Sequence, residues 1–296
     1  MLIREAIAQG NADLKFAGIK SPGLDSSLLL AHVLKTNRTS LTARSNETLA
    51  EKHCAEFCEL IERRANGECT AYITGKKEFR GLDFIVNKSV LVPRPDTETL
   101  VEAALEIINK EILHGTRTFG SPSNQHEHEI KVLDLCTGSG AVAVALKNEM
   151  PELEVYASDI SAEALETAKQ NAEKLLGSNK INFYHGDLFD ALPAPYSIIA
   201  SNPPYIPSNE IETLQAEVQN EPHLALDGGS FGLEIIKRII DNAPKFLKNG
   251  GWLLMEADPR QMNEITILLD KKGFNGIKLY KDLSGSNRVI GGRFDE

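Results

Sequence analysis

The sequence predicts an α/β protein, a doubly wound and mostly parallel sheet preceded by a small helical bundle. Three observations carry this. From Ile130 onward, short apolar runs alternate with helix-length stretches, an order that winds helices around a parallel sheet. The first such run is joined to its helix by a glycine-bearing turn, Cys136-Thr137-Gly138-Ser139-Gly140. Upstream, to about Asn66, the pattern is helix-like with little that reads as strand.

Helical periodicity marks 2–9, 25–34 and 48–64. Asp25 follows Pro22-Gly23 and is placed to cap the second of these, whose Leu28-Leu29-Leu30 run gives a wide apolar face. Residues 78–92 turn β-like, with Phe79, Phe84, Ile85 and Val86 around Gly81, and predict a hairpin joining bundle to sheet domain. Asp96 is a candidate cap for a helix over 97–108. Residues 130–135 read as a buried strand, 141–149 as a helix, 154–158 as the next strand, and 196–200 as another. The resulting division is 1–70 as a helical domain, 71–95 as a hairpin linker and 96–296 as the sheet domain.

With 296 residues and 42% apolar content, the chain is long enough for two cores. A net charge of −10 disfavours a broad phosphate-neutralising surface and so an extended duplex partner. No apolar stretch approaches a membrane span and 1–16 lacks a signal-peptide core, which points to the cytoplasm. Four cysteines, irregularly spaced, do not form a secreted disulfide framework. Cys54 and Cys58 lie one helical turn apart beside His53, but a structural zinc needs four convergent ligands, so no metal is expected and the thiols read as small buried hydrophobes. His126 and His128 fall in a polar insertion, 115–129, and read as solvated.

Chemistry concentrates in two groups of residues at strand ends. The glycine turn allows close backbone approach to a ligand, and the helix after it offers N–H donors, together implying a nucleotide-type cofactor. Asp159, closing the second strand, is spaced to accept both hydroxyls of a ribose, and Asp187 follows Phe183-Tyr184-His185-Gly186. Gly138-x-Gly140-x-x-Ala143 also fits a dinucleotide fingerprint, which keeps a dehydrogenase in view, although no paired acid and donor stands ready for a carbonyl oxygen. Asp134 reads first as a carboxylate satisfying N–H groups of the turn. The second group is Asn202-Pro203-Pro204-Tyr205, directly after the run 196–200. Each of Asn202 and Pro203 precedes a proline and has little conformational freedom. An Asn oxygen and a proline carbonyl held rigid can accept both hydrogens of one planar NH2, with Tyr205 beside the flat group.

Together these motifs resemble the class I methyltransferases that use S-adenosylmethionine, in particular those acting on a planar amide or exocyclic nitrogen. Further blocks narrow the resemblance. These are Leu91-Val92-Pro93-Arg94-Pro95-Asp96-Thr97-Glu98, Ala71-Tyr72-Ile73-Thr74-Gly75 with Glu78-Phe79, Asn220-Glu221-Pro222 with Ala225-Leu226 and Gly228-Gly229, and Asn287-Arg288-Val289. Over about 24–293 the chain is similar to the HemK/PrmC family of peptide chain release factor glutamine methyltransferases.

That resemblance implies a seven-stranded sheet, closed at one edge by an antiparallel pair over 274–280 and 288–291. It implies S-adenosylmethionine held by Cys136, Thr137, Gly138, Ser139, Gly140, Asp159, Asp187, Leu188 and Asn202. Catalysis falls to Asn202, Pro203, Pro204 and Tyr205, which with Arg94 also meet the substrate, although Arg94 could equally serve to order its own loop. The implied substrate is the glutamine of the Gly-Gly-Gln motif in class 1 release factors, with the helical domain as docking surface. A ribosomal-protein glutamine methyltransferase, an adenine or guanine amino methyltransferase, and a binding module without turnover are the alternatives. A basic cleft beside Tyr205 would favour a nucleic-acid target. Two departures from the family pattern stand out: Cys136 occupies a position where many relatives have glycine, and 115–129 is inserted.

Overall fold

A computed structural model describes residues 1–113, 130–178 and 180–296. The 115–129 insertion, with His126 and His128, lies outside the described residues. The chain divides into two compact units, 1–76 with 214–220, and 77–213 with 221–296.

The first unit packs α1 (Ile3–Phe16), α2 (Pro22–Val33), α3 (Arg38–Ala43), α4 (Glu51–Ala65) and α5 (Thr70–Thr74) around Ile3, Leu14, Leu29, Leu30, Phe57 and Ile61. Helix α1 crosses its neighbours at Gly10, where an added Cβ would stand 2.7 Å from Ser26 Oγ and 2.8 Å from Phe57. Asp25 is not a cap. Ser21 holds the cap position of α2, and Asp25 lies inside the helix, buried, accepting from Arg64 Nε at 2.8 Å. Arg64, only 2% exposed, also pairs with Glu217 of the 214–220 segment. The buried-thiol expectation fails for Cys58, which is exposed on α4, whereas Cys54 is partly buried against the helical core.

Apart from Lys76, the hairpin of β1 (Lys76–Phe79) and β2 (Leu82–Ile85) belongs to the second unit, and its Phe79 and Phe84 meet edge to face at 6.0 Å. The sheet of this unit has seven strands in the order β5-β4-β3-β6-β7-β9-β8. Strands β3 (Lys131–Leu135), β4 (Glu154–Asp159), β5 (Asn182–His185), β6 (Tyr196–Ser201) and β7 (Leu247–Glu256) run parallel. The antiparallel edge is as expected: β9 (Asn287–Phe294) lies between β7 and β8 (Phe274–Lys281), antiparallel to both.

Alternation along the strands divides the core between the two faces. Val132, Val155, Ile198 and Leu254 face one cluster with α6 (Glu98–Ile107), α7 (Ala141–Glu149) and α8 (Ala162–Leu176). Leu133, Tyr156, Ile199 and Leu253 face the other, with α10 (Glu234–Asn242) and α11 (Met262–Lys271); the short α9 (Ala216–Gln219) belongs to the first unit. Strand order reverses at β3, between β4 and β6, and such a switch point opens a crevice beyond the strands' carboxyl ends. Among the described residues no helix is long and apolar enough to cross a membrane.

Candidate active site

A cavity of about 310 Å³ lies at that switch point, within the size range of small-molecule sites. Cys136, Thr137, Gly138 and Ser139 from the turn after β3 line it, with Asp159 at the end of β4, Asp187 and Leu188 after β5, Asn202 and Pro204 after β6, and Arg94. Of the expected site residues, Gly140, Pro203 and Tyr205 do not belong to the lining.

The turn after β3 is built on left-handed backbone. Cys136, Gly138 and Gly140 have φ of 63°, 54° and 80°. At Gly140 a Cβ would also stand 3.1 Å from that of Ala168, so glycine there lets α7 and α8 approach. Cys136 holds a conformation costing an L-residue roughly 1–2 kcal/mol. Asp134 accepts from Thr137 Oγ1 at 2.6 Å and from the Ala143 N–H at 3.0 Å, locking the turn onto α7; its partners are a turn hydroxyl and a helix N–H, not the N–H groups of the turn that the sequence suggests. Burial pushes its carboxyl up to about 7 despite those bonds.

Asp159 accepts from the Gly138 N–H on Oδ2 at 2.8 Å and from the Ser161 N–H on Oδ1 at 2.9 Å. Burial raises its pKa while these N–H groups oppose the shift. Each oxygen keeps a further lone pair for a ligand. Asp187 pairs with Arg238 at 2.7 Å, both partly exposed at the cavity.

At the β6 end, the Asn202 amide donates from Nδ2 to Thr97 Oγ1 at 3.2 Å. No donor among the described residues takes Asn202 Oδ1. The tetrapeptide is gripped from behind by backbone: a Cβ on Gly228 would stand 2.8 Å from the Pro204 carbonyl oxygen, and one on Gly232 only 2.1 Å from that of Tyr205. Gln261 Nε2 donates to the same Tyr205 carbonyl at 2.9 Å, and the Tyr205 hydroxyl donates to Glu256 Oε1 at 3.2 Å. Burial raises the Tyr205 phenol above its ordinary range and pushes Glu256 up to about 7, the latter against the Thr97 hydroxyl bond and the Arg288 charge.

Arg94 orders its loop. Its guanidinium pairs with the buried Glu221 carboxylate, whose other oxygen accepts from the Val92 N–H at 3.0 Å. Asp96 does not cap the helix that follows; it reaches Arg288 at 3.2 Å, and Arg94 holds the cap position of the 3-10 turn Pro95–Thr97.

Comparison with known proteins decides the family. A PrmC N-terminal domain model matches residues 5–75 and a methyltransferase small domain model matches 109–277. The chain is 37% identical over 301 residues to a release factor glutamine methyltransferase of Koribacter versatilis, covering 99% of each. It is 39% identical to one of Neisseria gonorrhoeae, covering 93% of this chain and 94% of that. The chain belongs to the release factor glutamine methyltransferase family. A bifunctional methyltransferase of Rickettsia felis is 36% identical over 97% of this chain, which spans 57% of that longer protein. The fold is shared more widely: a methyltransferase from Pyrococcus furiosus superposes with a TM-score of 0.51 at 18% identity, over 74% of this chain and 92% of that one. The hMettl16 catalytic domain superposes with 0.58 at 15% identity, over 96% and 92%.

Within this family frame, sequence reasoning passed over two residues. Thr97 sits inside the quoted Pro-Arg-Pro-Asp-Thr-Glu block but had no role there. Glu256 was visible as an acid ending the apolar run Trp252-Leu253-Leu254-Met255, a lone charge at the crevice end of a strand.

Proposed function

We propose that this chain methylates the side-chain amide nitrogen of the glutamine in the Gly-Gly-Gln motif of class 1 release factors, as a cytoplasmic enzyme of translation termination using S-adenosylmethionine. One observation carries the reading: the side chain of Asn202, its NH2 anchored on Thr97, lines the same cavity as Asp159 and the glycine turn. Relatives carrying the release factor glutamine methyltransferase name over the whole chain length support the substrate.

The residues present suit the cofactor. Asp159, with lone pairs to spare, is the acceptor for a ribose diol, the open side of Gly138 leaves room for close approach, and Leu188 supplies apolar wall. When bound, S-adenosylmethionine supplies a methyl group on a positive sulfur. This chain's residues handle the nitrogen. An amide lone pair is delocalised into its carbonyl, so the nitrogen attacks poorly. Asn202 Oδ1, at the cavity, and the Pro203 carbonyl, next to it in the chain though outside the cavity lining, accept its two hydrogens, fix its orientation and stabilise positive charge as it develops. Tyr205, tied to Glu256 and Gln261, holds the far end of the tetrapeptide. A proton then leaves the methylated nitrogen by way of Asn202 or water.

The arginines beside Tyr205 argue against a nucleic-acid substrate: Arg94 pairs with Glu221, and Arg288 with Asp96 and Asp282. Their charge is spent within the protein. The test is transfer of label from S-adenosylmethionine to purified release factor, its Gln-to-Ala variant, ribosomal protein, DNA and RNA in separate reactions. Label on release factor that vanishes with the glutamine is the expected result; label on nucleic acid or ribosomal protein instead would overturn the assignment.

A further inference from the structure

Gln261 is buried, 8% exposed, on the 3-10 turn Pro259–Gln261 that leads from β7 into α11, and it lies outside the cavity lining. Its nitrogen donates to three backbone carbonyls, those of Tyr205 at 2.9 Å, Phe231 at 3.2 Å and Gly232 at 3.2 Å. Its oxygen accepts from the Asp258 N–H at 3.2 Å. A carbonyl only accepts and a backbone N–H only donates, so these four partners allow the amide one orientation. The meeting is close: a Cβ on Gly232 would stand 2.5 Å from Gln261 Nε2.

The three carbonyls belong to two segments with different support. The 229–232 turn is closed by its own backbone, with the Gly232 N–H on the Gly229 carbonyl at 3.0 Å and the Glu234 N–H on the Gly228 carbonyl at 2.9 Å. It leads into α10, whose Ile235 and Arg238 line the cavity. The tetrapeptide has less of its own, because Pro203 and Pro204 carry no N–H. Its downstream end is fixed at the peptide between Tyr205 and Ile206, where the Ile206 N–H donates to the Leu226 carbonyl at 3.0 Å and Gln261 holds the Tyr205 oxygen. A planar peptide held on both edges has little freedom to turn. Both prolines ahead of it have fixed φ. The direction of the Pro203 carbonyl then follows from the end of β6 on one side and from this peptide on the other.

We propose that Gln261 is a positioning residue for methyl transfer: by joining the Tyr205 carbonyl to the 229–232 turn, it sets the direction in which the Pro203 carbonyl accepts the substrate amide. This rests on the reading of Asn202 and Pro203 as paired acceptors for that amide. Gln261 acts through the tetrapeptide backbone. Asn202 is held separately, through Thr97, so the two acceptors have independent supports.

The experiment measures kcat and KM for release factor methylation, with cofactor Kd and unfolding midpoint for each variant. Gln261→Met keeps the length of the side chain and removes its donor. It is expected to lower kcat on the order of 10-fold, with KM for the release factor and cofactor Kd unchanged. Placed in an Asn202→Ala background, Gln261→Met should lower kcat by the same factor again, because the two supports share no partner. Wild-type kcat in Gln261→Met overturns the proposal. A loss expressed in KM or cofactor Kd rather than kcat, as general loosening of the fold would give, overturns it too. No further loss in the Asn202→Ala background would show that Gln261 acts through Asn202, and also sinks it. Should Gln261→Met fail to fold, Gln261→Asn carries the same measurements, since it keeps the amide but draws the nitrogen back from the Tyr205 carbonyl; the same split between kcat and KM is expected. A wild-type protein that binds cofactor yet methylates no glutamine would instead remove the underlying reading, a result distinct from all of these.

Discussion

Asn202 and Thr97, 105 residues apart in the chain, meet through a 3.2 Å hydrogen bond from the Asn202 amide nitrogen. The bond leaves Asn202 Oδ1 as the acceptor at the end of β6. Removing the amide with Asn202→Ala is expected to slow methyl transfer by about 10²-fold or more, as loss of one preorganised polar partner does elsewhere. Cofactor affinity should change far less. Single-turnover rates and cofactor titration check this together; near-normal turnover with intact binding would show that Asn202 is not the acceptor.

Gly232 packs without a side chain against the Tyr205 carbonyl, and its φ of +69° is a second reason for glycine. Gly232→Ala places a methyl where backbone already lies, and must displace the tetrapeptide or its own loop. The expected result is destabilisation of about 2–4 kcal/mol, in the range of overpacking plus backbone strain, with a fall in kcat larger than the rise in cofactor Kd. Denaturant midpoints and turnover together test this, and a fully active, fully stable variant would contradict the packing argument.

The parts legible in the sequence were those decided locally. The apolar run over 130–135, the glycines after it and the helix pattern over 141–149 specify strand, turn and helix by period and backbone freedom alone. The observed β3 and α7 follow that pattern closely. Asp159 and Asn202 were legible because each ends an apolar strand on the side where a parallel sheet binds ligands. Thr97 and Glu256 were not, because a hydroxyl and a carboxylate acquire a role only when folding brings β6, β7 and the 3-10 turn together. Asp25 and Asp96 misled for the same reason. Each resembles a helix cap from its neighbours, but is claimed in three dimensions by a distant arginine, Arg64 or Arg288.

Cys136 is an L-residue in left-handed backbone at the wall of the cavity. Cys136→Gly relieves that strain but frees the unfolded chain, and the two effects oppose each other. The net change in stability is expected to stay within about 1 kcal/mol. Cys136→Val, β-branched and poorly suited to positive φ, is expected to cost roughly 2 kcal/mol or more. Thermal unfolding of the pair tests the assignment; equal stabilities would argue against the left-handed geometry.

Arg64 lies in the core of the helical unit between Asp25 and Glu217. Arg64→Met removes the cation and leaves Asp25 buried without its partner, which is expected to cost about 3–5 kcal/mol. Arg64→Met combined with Asp25→Leu should recover much of that, since an apolar pair carries no desolvation penalty. Chemical denaturation of the single and double variants checks the sign. A single variant as stable as wild type would mean the pair contributes nothing.

Asp134 and Glu256 are each pushed up to about 7 by burial, above the ordinary carboxylate range. Glu256 is faced by Tyr205, by Arg288 on β9 and by Asp96 of the 3-10 turn, and the arginine only partly offsets its desolvation. Between the ordinary carboxylate pKa and about 7 the folded protein binds protons that the unfolded chain has released. Stability from this source is therefore fully present below the unfolded pKa and is lost as pH rises through about 7. Replacing the two acids with Asp134→Asn and Glu256→Gln removes the titration while keeping size. The wild-type unfolding free energy should fall from pH 5 to pH 8 relative to that double variant, and then run parallel to it at higher pH. Measured by denaturant unfolding across that range, a difference that is flat or of opposite sign would mean that both carboxyls ionise in the fold as readily as in the unfolded chain.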